Sequence, residues 1–200
     1  MASIVKLTKN EFKLQKDALK RFKRYLPTLV MKKQLLQMEI GRVEAKIIQK
    51  SSEQAELLQR MASWIAVFGE EIDLVSLIKP QRVEMETGNI AGVEIPVFRD
   101  LVFQDLRWDL QAMPAWTDQG IRALKEMAII DAELEVLAEQ ARLLAIELRI
   151  TSQRVNLFEK VKIPEATENI RVINIALGDQ QTAAVVRGKM AKNKLMGVNA

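Results

Sequence analysis

Catalysis needs side chains that trade protons, hold metals or cradle phosphates, and this chain has few arranged to do so. It contains no histidine and no cysteine. That removes the usual acid–base residue, the commonest metal ligand, Cys-based zinc sites and disulfides. The one Gly-Lys pair, Gly188-Lys189, would need a glycine where Ala183 stands, and a strand before it, to form a phosphate-binding loop. Gly88 and Gly92 lack the triple-glycine spacing of a dinucleotide fingerprint. Glu70, Glu71 and Asp73 could bind a cation, but with no converging ligand set they read as a solvated acidic turn. The expectation is a non-enzyme with no catalytic residues, no cofactor and no metal.

Other polar and aromatic residues suit binding better than chemistry. Residues 1–50 carry 13 Lys/Arg against 4 Asp/Glu, residues 51–120 carry 5 against 12, and the last 16 carry 4 against none. Both ends are thus basic and the middle is acidic. Lys/Arg clusters can neutralise phosphates. The interleaved aromatics Phe12, Phe22 and Phe68 fall on an apolar seam, however, where stacking on bases is impossible, so no nucleic-acid partner is expected. Trp108 and Trp116 fit packing within their own segment or an interface anchor. Arg154 and Asn156 flank the seam as exposed polar positions of a coiled coil.

Two long periodic segments must position these residues. Thr8-Lys9-Asn10-Glu11 fits a capping box, with Leu7 and Phe12 as its staple. Steps of three and four from Phe12 to Phe68 visit seventeen positions, of which thirteen are apolar. Gly69 supplies a stop, and Pro27 should kink or interrupt the run. A second run begins at Thr117 or Asp118 and passes through Leu124, Met127, Leu134, Leu137, Ala141, Leu144, Leu148, Thr151, Val155 and Phe158. Pro164 interrupts it before Ile170, Ile173 and Leu177 resume. Neither helix can bury its stripe alone, so the two should pack as an antiparallel hairpin. If Phe68 faces residue 119, paired positions sum to about 187, placing Pro27 opposite about residue 160 and bending both helices at one level. Residue 8 then pairs near 179, and the tail extends past the start of the first helix beside a basic tip formed by both termini.

The fold class expected is mainly α, a long antiparallel two-helix coiled coil with a short β-hairpin and short helices inserted between its arms. Residues 1–68 form the first long helix, 69–116 the insert, and 117–200 the second long helix with its basic tail. Within the insert, "RVEMETGNIAGVEIPVF" sets Val83 and Met85 on one face of a strand and Val93, Ile95 and Val97 on one face of another. Thr87-Gly88-Asn89 offers the turn, which confines the hairpin to about 82–98. Pro96 marks an edge strand. "EEIDLVSLI" and "RDLVFQDLRWDLQAM" read as short amphipathic helices. No apolar run is long enough to span a bilayer, and the N-terminus lacks a signal-peptide core.

Four segments, in order, carry a family resemblance. They are "KLTKNEF" with "LKRF" and "MKKQLLQMEI" in the first helix, "GNIAGVEIPVF" in the insert, "ITSQRVNLFEKVKIP" in the second helix, and "ENIRVINIALGDQQ" after it. On these segments the chain resembles the D subunits of the V/A-type rotary ATPases. The resemblance implies an antiparallel coiled-coil axle in the central stalk, whose joined termini enter a ring of alternating catalytic and non-catalytic subunits. The ring, not the axle, binds nucleotide. The axle would couple ATP hydrolysis or synthesis to proton or sodium movement through the membrane rotor.

Under that resemblance the ring contacts are expected at the shaft tip, on Lys9, Lys13, Lys16, Arg187, Lys189, Lys192 and Lys194. Contacts to other central-stalk subunits are expected at Ile90, Val93, Ile95, Pro96, Arg154 and Asn156. The partners are then the ring subunits, the stalk subunits and, through the stalk, the membrane rotor. The location is cytoplasmic, held at the membrane through the complex without insertion. The competing reading from the residues alone is a coiled-coil adaptor or scaffold outside any rotary machine.

Overall fold

The computed structural model describes residues 5–62, 78–104, 114 and 116–198. Its elements are helix α1 (Lys9–Ala62), strands β1 (Pro80–Ile90) and β2 (Val93–Phe103), helix α2 (Thr117–Asn156), a π-helical turn (Leu157–Lys162) and helix α3 (Ile163–Val198). Gly69, Trp64, Phe68, the acidic cluster Glu70, Glu71 and Asp73, the 70–77 stretch and Trp108 lie outside the described residues. The mainly α reading with a two-stranded insert holds.

Contacts divide the chain into two compact units, residues 32–150 and residues 1–31 with 151–200. In the first, α1 and α2 run antiparallel. Arg60 meets Glu126, Lys50 meets Glu133 at 3.0 Å, and Lys32 meets Glu147 at 2.7 Å. The seam supplies the core. Leu57 and Met61 pack with Ile130, while Leu36 and Val43 pack with Leu137 and Leu144. Leu36 and Leu144 have no exposed surface at all. The ion pairs lie along the seam's flanks, where such contacts fix register more than stability.

The ribbon joins this second cluster. Ile95 is buried in it, and Ile90, Val93 and Val97 pack alongside. An isolated two-stranded ribbon is marginal in water, so these contacts stabilise it. Its turn is not at Thr87–Asn89. The strands run through those residues to a two-residue turn at Ala91-Gly92, with φ of 53° and 80°. Two positive φ values describe a type I′ turn, and the Asn89 side chain accepts the Gly92 N–H at 3.0 Å. Gly88 therefore serves another purpose. A Cβ there would lie 2.9 Å from Cγ2 of Val97, so glycine lets the strands close over the core.

Pro96 pairs with Thr87. Lacking an N–H, it cannot exchange two hydrogen bonds with that partner, so its carbonyl points away from β1. Gln140 of α2 donates to that carbonyl at 2.6 Å. The strands are also longer than expected. Arg99–Phe103 is strand, not the start of a helix, because Leu101 and Val102 pair with Val83 and Arg82. An apolar run such as Leu-Val-Phe fits either structure locally, and cross-strand pairing decides it.

The other unit holds both chain ends. Thr8 caps α1 through its hydroxyl, which accepts the Glu11 N–H at 3.3 Å. The reciprocal half of the box is replaced, because Glu11 accepts from Gln15 instead. The helix continues through Pro27, so that residue does not interrupt it. Nor does Pro164 break the second arm, which widens into the π-turn just before it. Phe22 meets Phe158 with ring centroids 5.2 Å apart. That contact sets Pro27 opposite about residue 153, not 160, so the two prolines do not share a level. The expected sum of 187 relies on an assumed pairing at Phe68. Pairs within residues 32–150 sum to 186 at Arg60–Glu126 and 179 at Lys32–Glu147.

Candidate interaction surfaces

The end of α3 is the most unusual surface. From Gly178 to Met196 every residue except Ala183 is exposed. The exposed residues include Val185, Val186, Met190, Leu195 and Met196. Val185, Met190 and Leu195 are five residues apart, so each lies about 140° further round the axis. The helix is thus apolar on several sides, unlike an amphipathic helix with one face on a core. Arg187, Lys189, Lys192 and Lys194 are interspersed among them, and no acid occurs after Asp179.

Lys9, Lys13 and Lys16 belong to the same unit and are exposed on the first turns of α1. Lys16 lies 4.6 Å from the centre of the Phe12 ring. None of the seven tip cations forms an ion pair among the described residues. Their charges face solvent without internal compensation.

The stalk-contact candidates separate. Ile95 is 4% exposed, and Ile90 and Val93 pack on the same cluster, so these side chains serve the chain's own core. Pro96 is half-buried and spends its carbonyl on Gln140. The outward face of the ribbon offers Met85, Thr87 and Phe98 instead, with Met85 paired to Phe98. Arg154 and Asn156 are exposed and belong to the other unit. Trp116 is half-buried just before α2.

Sequence reasoning missed two contributors. One is Gln140, whose polar side chain is 8% exposed beside the seam. Its partner is a carbonyl 44 residues away, and no periodicity predicts that contact. The other is the apolar set on the last turns of α3. Its signal is present in the sequence, since Val185, Val186, Leu195 and Met196 continue an apolar pattern beyond any partner in the first helix.

The whole chain also matches known proteins. Residues 11–193 fit the family model for the ATP synthase D subunit. The chain belongs to the ATP synthase D-subunit family. It is 53% identical over 197 residues to the V-type ATP synthase D subunit of Borreliella burgdorferi, covering 98% of each chain. Similarity extends to the proteins of the same name from Chlamydia abortus, at 39%, and Chlamydia caviae, at 38%, over 98% of this chain and 95% of each relative. These matches run through the ribbon as well as both helices, so the insert belongs to the family framework. Among the described residues, no helix is long and apolar enough to cross a membrane.

Proposed function

We propose that the chain is the central rotor shaft of a V/A-type rotary ATPase, a non-catalytic subunit that passes torque between a nucleotide-hydrolysing ring and an ion-moving membrane rotor. The exposed, many-sided apolar and basic end of α3 carries this reading. Such a helix is costly to leave in water, and a sleeve of protein surrounding it would bury apolar surface on every side. A shaft entering the pore of a ring meets that condition.

The seven tip cations would face acidic patches of the pore wall. Exposed pairs of this kind are each worth under about 1 kcal/mol and are screened by salt, which suits a surface that must turn. Stalk partners would meet Pro96, the outward face of the ribbon, Arg154 and Asn156. In this reading Ile90, Val93 and Ile95 contribute by holding the ribbon in place. The chain would be peripheral to the membrane, held there by the complex.

Changing Arg187, Lys189, Lys192 and Lys194 together to glutamate tests the ring contact. Co-purification with the ring and ATP-driven ion transport should both fall, and low salt should deepen the defect. Unchanged assembly and coupling would remove these residues from the interface.

A further inference from the structure

The second arm keeps its seam on both sides of the π-turn, but not its phase. Up to the first residues of the turn the inward positions are Thr151, Val155 and Phe158; after it they are Ile163, Ala166, Ile170, Ile173 and Leu177. Each set steps by three and four. Across the turn, Val155 to Ile163 and Phe158 to Ala166 are steps of eight where the seam otherwise repeats every seven. One residue is therefore extra.

A continuous α-helix would carry that residue as a rotation of about 100°. Measured from Val155, an unbroken α-helix would set Ile163 and Ile170 about 80° and 60° round the axis, yet both stay half-buried beside the buried Ala166 and Ile173. The wide turn absorbs the surplus instead. The Ile163 N–H donates to the Phe158 carbonyl, five residues back. Pro164 follows at once and has no N–H to offer the Lys160 carbonyl, so α bonding cannot spread into the turn from that side. None of the six π-turn residues is buried, and Leu157 and Val161 are 43% and 48% exposed. The turn is held by its own hydrogen bonds and, near its start, by the contact of Phe158 with Phe22.

We propose that Leu157–Lys162 is a torsionally soft joint, in which bonds to the fifth and fourth preceding carbonyls exchange so that α3 twists against residues 151–156. Its use as the compliant segment of a torque shaft rests on the function proposed above; the joint itself does not. The extra residue creates the turn, and Pro164 fixes its C-terminal limit.

Hydrogen exchange on the full chain tests this directly. Amides of residues 159–163 and 165–167 should exchange about tenfold faster than those of 170–177. Deleting Lys160 together with Pro164→Ala restores seven-residue steps, and should bring the two sets to equal protection without lowering Tm. Pro164→Ala alone leaves the extra residue in place and should keep the fast exchange. Equal protection in the wild-type chain would overturn the proposal. So would slow exchange in Pro164→Ala alone, or a lower Tm in the deletion variant. In the assembled complex, the deletion variant should narrow the angular fluctuations of a bead fixed to the stalk, and unchanged fluctuations would refute the joint's mechanical role. Failure of the wild-type chain to join the ring would count against the shaft function, while the exchange result on the chain alone would still decide the joint.

Discussion

Replacing Ile95 by alanine removes the centre of the contact that docks the ribbon on the helices. Ile95 is 4% exposed and packs with Leu36, Val43, Leu137 and Leu144. Burial at such a site makes Ile→Ala cost about 2–5 kcal/mol, depending on how far the site collapses. The low end applies here, because Ile90, Val93 and Val97 are only partly buried and can settle inward. A loss of about 2 kcal/mol raises the undocked population roughly 30-fold. The ribbon cannot stand alone, so undocking opens its strand pairing as well. Hydrogen exchange at the amides of Glu86, Gly88 and Val97 would read this, since these residues alternate with the non-hydrogen-bonded Thr87–Pro96 pair. Glu94→Ala, at an exposed neighbouring position, is the control and should leave exchange unchanged. If Ile95→Ala left these amides as protected as in the wild type, the ribbon would not depend on that core, and the assignment of Ile95 to an internal role would fail.

Ala91 holds φ of 53°, which costs an alanine roughly 1 kcal/mol. Ala91→Asn supplies the Asn-Gly pair favoured in type I′ turns and should slow ribbon exchange several-fold; faster exchange would contradict the turn assignment. Gly88→Ala should do the reverse, because its Cβ would press on Val97 and force a shift costing about 1–3 kcal/mol. Acid should weaken the fold modestly. Hydrogen bonds from Lys50 to Glu53, from Arg142 to Glu139 and from Arg171 to Glu168 hold these carboxyls below their usual pKa. A lowered folded pKa gives stability that is present above the unfolded value and lost as pH falls through the folded one. Tm should therefore drop across and below the ordinary carboxylate range. The drop should shrink in high salt, because all three groups are exposed; a salt-independent drop would place its origin elsewhere.

The helical arms are legible in the sequence because an apolar seam repeated over many turns has few other meanings. Leu36, Val43, Leu57, Met61, Leu137 and Leu144 all lie where their spacing puts them. The ribbon is visible as a break in that pattern, through the alternation of Val93, Ile95 and Val97. Its details are not. Gly88 looks like a turn residue, yet it marks a close approach between strands, whereas the turn includes an alanine, which rarely adopts positive φ. Local preference also cannot choose between helix and strand for Arg99–Phe103, since the deciding contacts come from β1. Nor does spacing show that the ribbon face carrying Ile90, Val93 and Ile95 packs on the chain's own helices. The helices cover it, as they do most apolar faces that the rest of the chain can reach. Pro164 reads locally as a break, but eight-residue spacing around it signals a wide turn that keeps both halves on one seam.

A chain that serves as the shaft of a rotary ATPase must turn inside its ring. Reconstituting it with the ring of catalytic and non-catalytic subunits, and following a bead fixed to the ribbon end during ATP hydrolysis, tests that most directly. One copy per ring and unidirectional, ATP-dependent rotation are expected. Independent homodimers with no affinity for the ring, or a ring that hydrolyses ATP while the bound chain stays still, would contradict it.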